Sequence, residues 1–343
     1  MAASIRFTLL LTSFLLLGMV MAGLVMQPRA SGDPWKVEEG DFPASSSQEE
    51  RAAFLLSYAI LAPSPYNTQP WRFSISGDEI RISADRSRWL KVADPDQRQL
   101  YMSLGCALEN LLLAAEHFGY SYSVSYPAGE DSWVSVRLAP GDRPGRNESL
   151  FYAITRRHEG ILPCEGGGAQ LPSWSWGGVY IRLDSGEAAR AGLRELVEEA
   201  DRARLADPAH RGELGSWLGR GMMGPSGIQA LLAQAWTVFL DDGSEALRRD
   251  GQLVGSAIQI GLVATEEDGR AAEVRAGQAL ERLWLQATSE GLSVEPMGQV
   301  LAIPRTRVKA AELMPEGHLQ QVVLIGCPGG DRTPRMEVGE VMG

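Results

Sequence analysis

Cysteine and histidine are scarce in this chain of 343 residues, with three of the first and four of the second. Cys106, Cys164 and Cys327 lie far apart, and His117, His158, His210 and His318 show no ligand spacing, so no metal centre is expected. Three thiols cannot all pair with each other. Cys106 sits in an apolar helical stripe and Cys327 in a strand-like run, and both read as small core residues. Cys164, in the turn Pro163-Cys164-Glu165-Gly166, is left open. Positive charge is also short: 32 Lys and Arg against 43 Asp and Glu leave a net charge of -11. That balance excludes a broad nucleic-acid surface but leaves room for a local anion site. No nucleophile elbow for a catalytic serine is present. Gly219-Arg220-Gly221-Met222-Met223-Gly224 fits a dinucleotide-binding string, but no strand precedes it, so it reads as a mobile loop.

What is present is ample apolar material, 44% of residues, enough for a sizeable core and about two domain-sized units. Phe7 to Met26 is continuously apolar or small apart from Thr8, Thr12 and Ser13. As a helix it would measure about 30 Å, enough to cross a bilayer. Val20-Met21-Ala22 offers a cleavage site, so a removed signal peptide competes with a retained anchor; the apolar run continues past that site and favours the anchor. Membrane association through residues 1–30 is expected, with the extracytoplasmic side slightly favoured. Residues 31–47, rich in Pro, Ser, Gly and acidic side chains, read as a flexible tether.

Two distant stretches of the body are near copies. Gly105-Cys106-Ala107-Leu108-Glu109-Asn110-Leu111 matches Gly277-Gln278-Ala279-Leu280-Glu281-Arg282-Leu283, and each copy runs on to a Gly and then a strand-like segment. One folding unit written twice and fused is expected, with halves at 48–147 and 148–343. Helices are predicted from Glu49 to Ala62, Asp96 to His117, Glu148 to Arg157 and Gly186 to Arg204, with a Gly- and Met-rich loop from Gly215 to Gly227. Alternation predicts a hairpin over Trp71–Ala84, and strands near Tyr120–Tyr126, Trp133–Leu138, Val179–Leu183, Ala257–Ala264 and Val322–Gly326. The fold class is α+β, helices packed on sheets.

Two clusters can carry chemistry. Ala62-Pro63-Ser64-Pro65-Tyr66-Asn67-Thr68-Gln69-Pro70-Trp71 is the densest polar turn; its prolines fix the backbone while Ser64, Asn67 and Gln69 offer hydrogen-bonding groups. A functional loop and simple helix-stop chemistry both explain it. Arg156-Arg157-His158 closes a predicted helix. It reads equally as a complement to the helix dipole or as an anion site, since arginine grips phosphate bidentately.

The order of these motifs resembles the nitroreductase superfamily, in its fused, internally duplicated Acg-like branch. The pieces that carry the resemblance are the Ala62–Trp71 turn, Ala84-Asp85-Arg86-Ser87-Arg88, the Gly105 helix, Ala153-Ile154-Thr155-Arg156-Arg157, the Gly277 helix into Gly291-Leu292, Gln299, and Ile325-Gly326 before Pro334-Arg335. They span residues 50 to 340. The resemblance implies FMN between two halves of one chain, a monomer acting as a pseudo-dimer. The first half supplies the turn and the second the basic motif. The converse pair is missing, since Arg51 stands alone and Leu162-Pro163-Cys164-Glu165 cannot replace Ser and Asn, so one FMN and one dead pseudo-site are implied.

By that resemblance Arg156, Arg157 and Arg335, with His158 beside them, pair with the phosphate. Pro63, Ser64, Asn67 and Gln69 surround the ribityl chain or ring edge. Met297 and Gly298 bring backbone N–H groups to the ring, and a lid within residues 205–228 covers it through Trp217, Met222 and Met223. The chain departs from the pattern where His158 replaces a Ser or Thr and Gly160 a basic residue. The expected activity is NAD(P)H-dependent reduction of a small-molecule electron acceptor, with no side-chain acid or base required because the flavin carries the chemistry. The alternative of another class is a protein that holds FMN under a packed lid and turns over little.

Overall fold

The computed structural model describes residues 32–127, 133–141, 147–165, 167–241, 243–314 and 317–343. The apolar run Phe7–Met26 lies outside them. Among the described residues no helix is long and apolar enough to cross a membrane.

Helix α1 (Gln48–Ala59) opens on a capping box in which Ser47 and Glu50 satisfy each other's backbone amides, and Pro63 and Pro65 stand just beyond its end. Strands β1 (Trp71–Ser76) and β2 (Glu79–Ala84) form the expected hairpin, pairing Trp71 with Ala84 and Ser76 with Glu79. Helix α2 (Arg98–His117) follows, then β3 (Tyr120–Ser125) and β4 (Val134–Pro140). These strands make a four-stranded antiparallel sheet in the order β1-β2-β4-β3.

The rest of the chain runs through α3 (Glu148–Ile154), β5 (Ile161–Leu162), β6 (Trp174–Trp176), β7 (Val179–Asp184), α4 (Glu187–Ala206), α5 (Pro208–Gly219), α6 (Gly227–Phe239) and α7 (Ser244–Ser256). It continues with β8 (Gln259–Thr265), α8 (Arg270–Ser289), β9 (Ser293–Pro296), α9 (Gln299–Ala302), α10 (Pro304–Ala311), β10 (His318–Pro328) and α11 (Val338–Val341). Its sheet has the order β5-β10-β8-β7-β6, with β9 also on β10, and every pairing is antiparallel. All of β8 is buried, as its continuous run Gln259-Ile260-Gly261-Leu262-Val263-Ala264-Thr265 requires.

The two similar helices, α2 and α8, are the centre of the molecule. Both are twenty residues long and buried on nearly every side, which places them in a core rather than on a surface. They cross at their glycines. A methyl group on Gly105 would lie 2.0 Å from the carbonyl oxygen of Val274, and one on Gly277 would lie 1.9 Å from that of Met102. Met102 stands three residues before Gly105 as Val274 stands three before Gly277, so the contact is reciprocal. Farther along the pair, Arg282 meets Glu109 at 2.6 Å.

Three local expectations change. The segment Gly215–Gly227 is not one loop, because α5 runs through Gly219 and α6 starts at Gly227, leaving only a short turn. Cys327 is not a lone core thiol: it forms a disulfide with Cys164 across 163 residues, and Cys106 alone is free. Residues 34–42 are held on the body. They form two short 3-10 turns, Trp35 is buried with its indole N–H on the carbonyl of Thr333, and the ring of Phe42 stacks on Phe118.

Candidate functional site

Three sequence-distant segments meet at one carbonyl. The backbone oxygen of Leu61, just past the end of α1, accepts from Arg157 Nη2 at 2.7 Å and from Arg335 Nε at 3.3 Å. A helix C-terminus leaves carbonyls unpaired and concentrates negative potential, so it attracts both guanidinium groups. Arg157 is there because α3 ends at Ile154 and turns its basic tail inward; Arg335 arrives on the segment after β10.

The polar turn locks onto the same corner. Asn67 Oδ1 accepts from Arg335 Nη1 at 3.0 Å, while its amide donates to the carbonyls of Pro334 at 2.6 Å and Met222 at 2.7 Å. Gln69, fully buried, accepts from the backbone N–H of Met336, and Ser64 Oγ accepts from the N–H of Gln69. Tyr66, Asn67 and Gln69 all have φ near +50°. Left-handed backbone is uncommon for residues other than glycine, and such outliers gather at functional loops. Pro63 sits half-buried at the head of the turn.

Adjacent arginines part company. Arg157 is buried, but Arg156 is exposed and donates from Nε to the carbonyl of Tyr152, so it faces away from the corner. His158 is placed beside the pair through Nδ1 and the carbonyl of Gly330, 3.1 Å apart, and its own carbonyl accepts from Trp284 Nε1 and Ser293 Oγ. Met297 lies in a second apolar cluster with Val300, Leu301 and Val322, and its N–H donates to the carbonyl of Val322. Gly298 faces Gln99. The amide of Met297 is thus committed to holding the chain against β10. The lid residues divide: Trp217 is buried against Leu90 and Ala93 with Tyr66 and Met223 alongside, and Met222 packs on the main core.

Glu159 was missed from the sequence, and it changes the electrostatics. Its Oε1 lies 2.7 Å from Arg335 Nη2 and 3.8 Å from Arg157 Nη2. Burial raises its carboxyl, but Arg335 and Arg157 outweigh that and hold it below the usual carboxylate range. Trp35 caps the cluster, with the guanidinium carbons of Arg335 at 4.8 Å, Arg332 at 5.2 Å and Arg157 at 5.8 Å from its ring. Behind Arg157, Glu281 is fully enclosed at 3.6 Å from Nε, and burial pushes its carboxyl up to about 7 despite the arginine. The signal for Glu159 was readable: an acid following three cationic or titratable residues at a helix end.

A flavin phosphate is nearly dianionic at neutral pH. Arg157 Nη1 is buried without a hydrogen-bond acceptor, a donor such a group can use, while Nε is turned toward Glu281. The position between the arginines belongs to Glu159. Its side chain keeps 25% of its surface open while those of Arg157 and Arg335 keep none, so the carboxylate is the partner with a route to solvent. The residues fit a phosphate in place of the carboxylate, not beside it.

No protein-family model matches the chain. Over 323 residues it is 28% identical to the "Putative NAD(P)H nitroreductase Rv3131" of Mycobacterium tuberculosis, covering 85% of this chain and 91% of the relative. It is 24% identical over 309 residues to the "Putative NAD(P)H nitroreductase acg" of the same species, covering 82% and 92%. A third relative there, "Uncharacterized protein Rv3127", is 23% identical over 262 residues, covering 68% and 74%. At 24–28% identity over most of its length, the chain is a distant homologue of proteins named as putative NAD(P)H nitroreductases, acg among them.

Proposed function

We propose that this protein is a nitroreductase-type oxidoreductase that takes FMN at the corner where the Ser64–Gln69 turn meets Arg157 and Arg335. The observation that carries the reading is the Leu61 carbonyl, which binds both arginines and so joins the turn to the basic motif. When bound, FMN supplies hydride and electron chemistry that no side chain here offers. Arg157 and Arg335 hold the phosphate, with Glu159 released to solvent. Burial favours the neutral form of Glu281, which leaves more of the charge of Arg157 available to that phosphate. The half-buried Ser64 lines the sugar side, while Asn67 and Gln69 fix the turn against residues 334–336. The names of the relatives support NAD(P)H as donor, and a small-molecule electron acceptor is part of the same proposal.

The reciprocal Gly105 and Gly277 contacts support an internal duplication with halves at 48–147 and 148–343. Related residues touching each other's partners is the signature of a two-fold interface, here inside one chain that works as a monomer. The disulfide supports an oxidising, extracytoplasmic location, with residues 1–30 as anchor or signal.

A second reading, FMN storage with little turnover, is favoured by the packing of α5 over the turn. Glu213 accepts the backbone N–H groups of Val92 and Ala93, and Asn67 donates to Met222, so the cover is fastened at both ends. Anaerobic NAD(P)H titration of the flavin-loaded protein separates the two. Bleaching of the visible flavin bands establishes the reductase, and resistance to bleaching establishes storage. A protein that cannot be loaded with FMN refutes both.

A further inference from the structure

Helix α6 presents an apolar face to solvent. Ile228, Leu232, Trp236, Phe239 and Leu240 follow one another at helical spacing, and each is between 57% and 72% exposed. The opposite face is covered: Ala230 and Thr237 are buried, and Gly215 and Gly219 of α5 let Val238 and Gln234 approach closely. No charged residue occurs anywhere in Gly227–Phe239. Soluble monomers rarely leave apolar patches above a few hundred Å² open, and five large side chains on one stripe reach that range.

We infer that this face of α6 lies in the interfacial layer of a lipid bilayer, the same bilayer that receives Phe7–Met26. Three observations select that occupant over a second copy of the chain. The first is the uncharged twenty-residue run itself, which is long enough to span. The second is the tether. Trp35 is fixed on the body, so the residues between Met26 and Trp35 can extend about 30 Å at most, and α6 is only about 20 Å long. The third is placement. Trp35 hangs on the carbonyl of Thr333, while the turn that leads into α6 hangs through Met222 and Asn67 on that of Pro334. The chain therefore leaves for the membrane beside the root of its own apolar helix.

A net charge of -11 gives no electrostatic attraction to anionic lipids, so the contact is apolar and insensitive to salt. Aromatic Trp236 and Phe239 suit the headgroup boundary. The inference rests on retention of Phe7–Met26 and is independent of the flavin reading.

The test uses the full chain in phosphatidylcholine vesicles, labelled with an environment-sensitive fluorophore at Leu232→Cys and, as a control, at the exposed Val308→Cys on α10. The expected result is blue-shifted emission at position 232, quenched several-fold by phospholipids carrying a shallow nitroxide and unchanged in high salt, with position 308 unaffected. Water-like, unquenched emission at 232 overturns the inference. So does a blue shift that lipid cannot quench and that grows with protein concentration, which would assign the face to a second copy. Intact mass showing cleavage after Ala22 would remove the anchor and overturn it as well. Flavin content of the same sample enters none of these outcomes.

Discussion

Glu159 Oε1 sits 2.7 Å from Arg335 Nη2, and any phosphate entering this corner has to break that contact first. A carboxylate of the chain itself therefore competes with the cofactor. Glu159→Gln keeps the shape and removes the charge. FMN affinity is expected to rise about tenfold or more, in line with the strength of charge-assisted pairs, read by quenching of flavin fluorescence. Arg335→Ala should abolish binding. A weaker Kd for Glu159→Gln would show that the carboxylate helps hold the ligand.

Gly105→Ala and Gly277→Ala should each destabilise strongly. The added methyl meets a backbone carbonyl at 2.0 or 1.9 Å, so nothing flexible can yield and the two central helices must separate. A loss of about 3 kcal/mol or more is expected, at the severe end of overpacking. Urea unfolding measures it, and a change under 1 kcal/mol would mean the helices do not cross here.

Removing the disulfide by Cys327→Ser, or reducing it, frees a loop of 163 residues. The cost expected is about 2–5 kcal/mol, mostly through the entropy of the unfolded chain. Because Cys164 and Cys327 lie between Glu159 and Arg335 along their respective segments, FMN affinity should fall along with Tm. Unchanged Tm under reductant in calorimetry would exclude a structural bond.

Burial, with Arg204 adding to it, lowers His210 to about 3 from an ordinary 6.5. The unfolded chain takes up a proton below 6.5 that the folded one refuses, so stability is lost as pH falls from 6.5 toward 3. From pH 7 to 5 this group removes up to about 2 kcal/mol. Tyr66 Oη lies 3.3 Å from His210 Nε2, so the polar turn loosens with it. His210→Gln should flatten that slope in urea unfolding at the two pH values; an unaltered slope would assign it elsewhere.

Much of the fold was legible because its signals are periodic. The β1–β2 hairpin and the two central helices declare themselves through alternation and a repeated apolar stripe; the ends of the hairpin and of α2 fall within two residues of expectation, while α8 starts at Arg270, ahead of the repeat that marks it. The turn and the arginines were legible as clusters, but which arginine faces inward was not. Neighbouring helical residues point about 100° apart, and only the end of α3 at Ile154 decides that Arg157 turns in and Arg156 out. The Cys164–Cys327 bond could not be read from spacing, since 163 residues separate partners that only the sheet brings together. Trp35 was hidden by the company it keeps, one anchoring ring in a segment whose composition otherwise describes a tether.

Tyr66, Asn67 and Gln69 occupy backbone that glycine would adopt without penalty, and only asparagine among them does so readily. A connector with no task beyond joining a helix to a strand has no reason to keep a tyrosine and a glutamine in such postures. Each side chain is retained at a conformational cost of about 1 kcal/mol or more, so each must return more than it takes. The stretch is in that sense a letter of intent written in the main chain: the protein has accepted discomfort here to keep three side chains facing where they do.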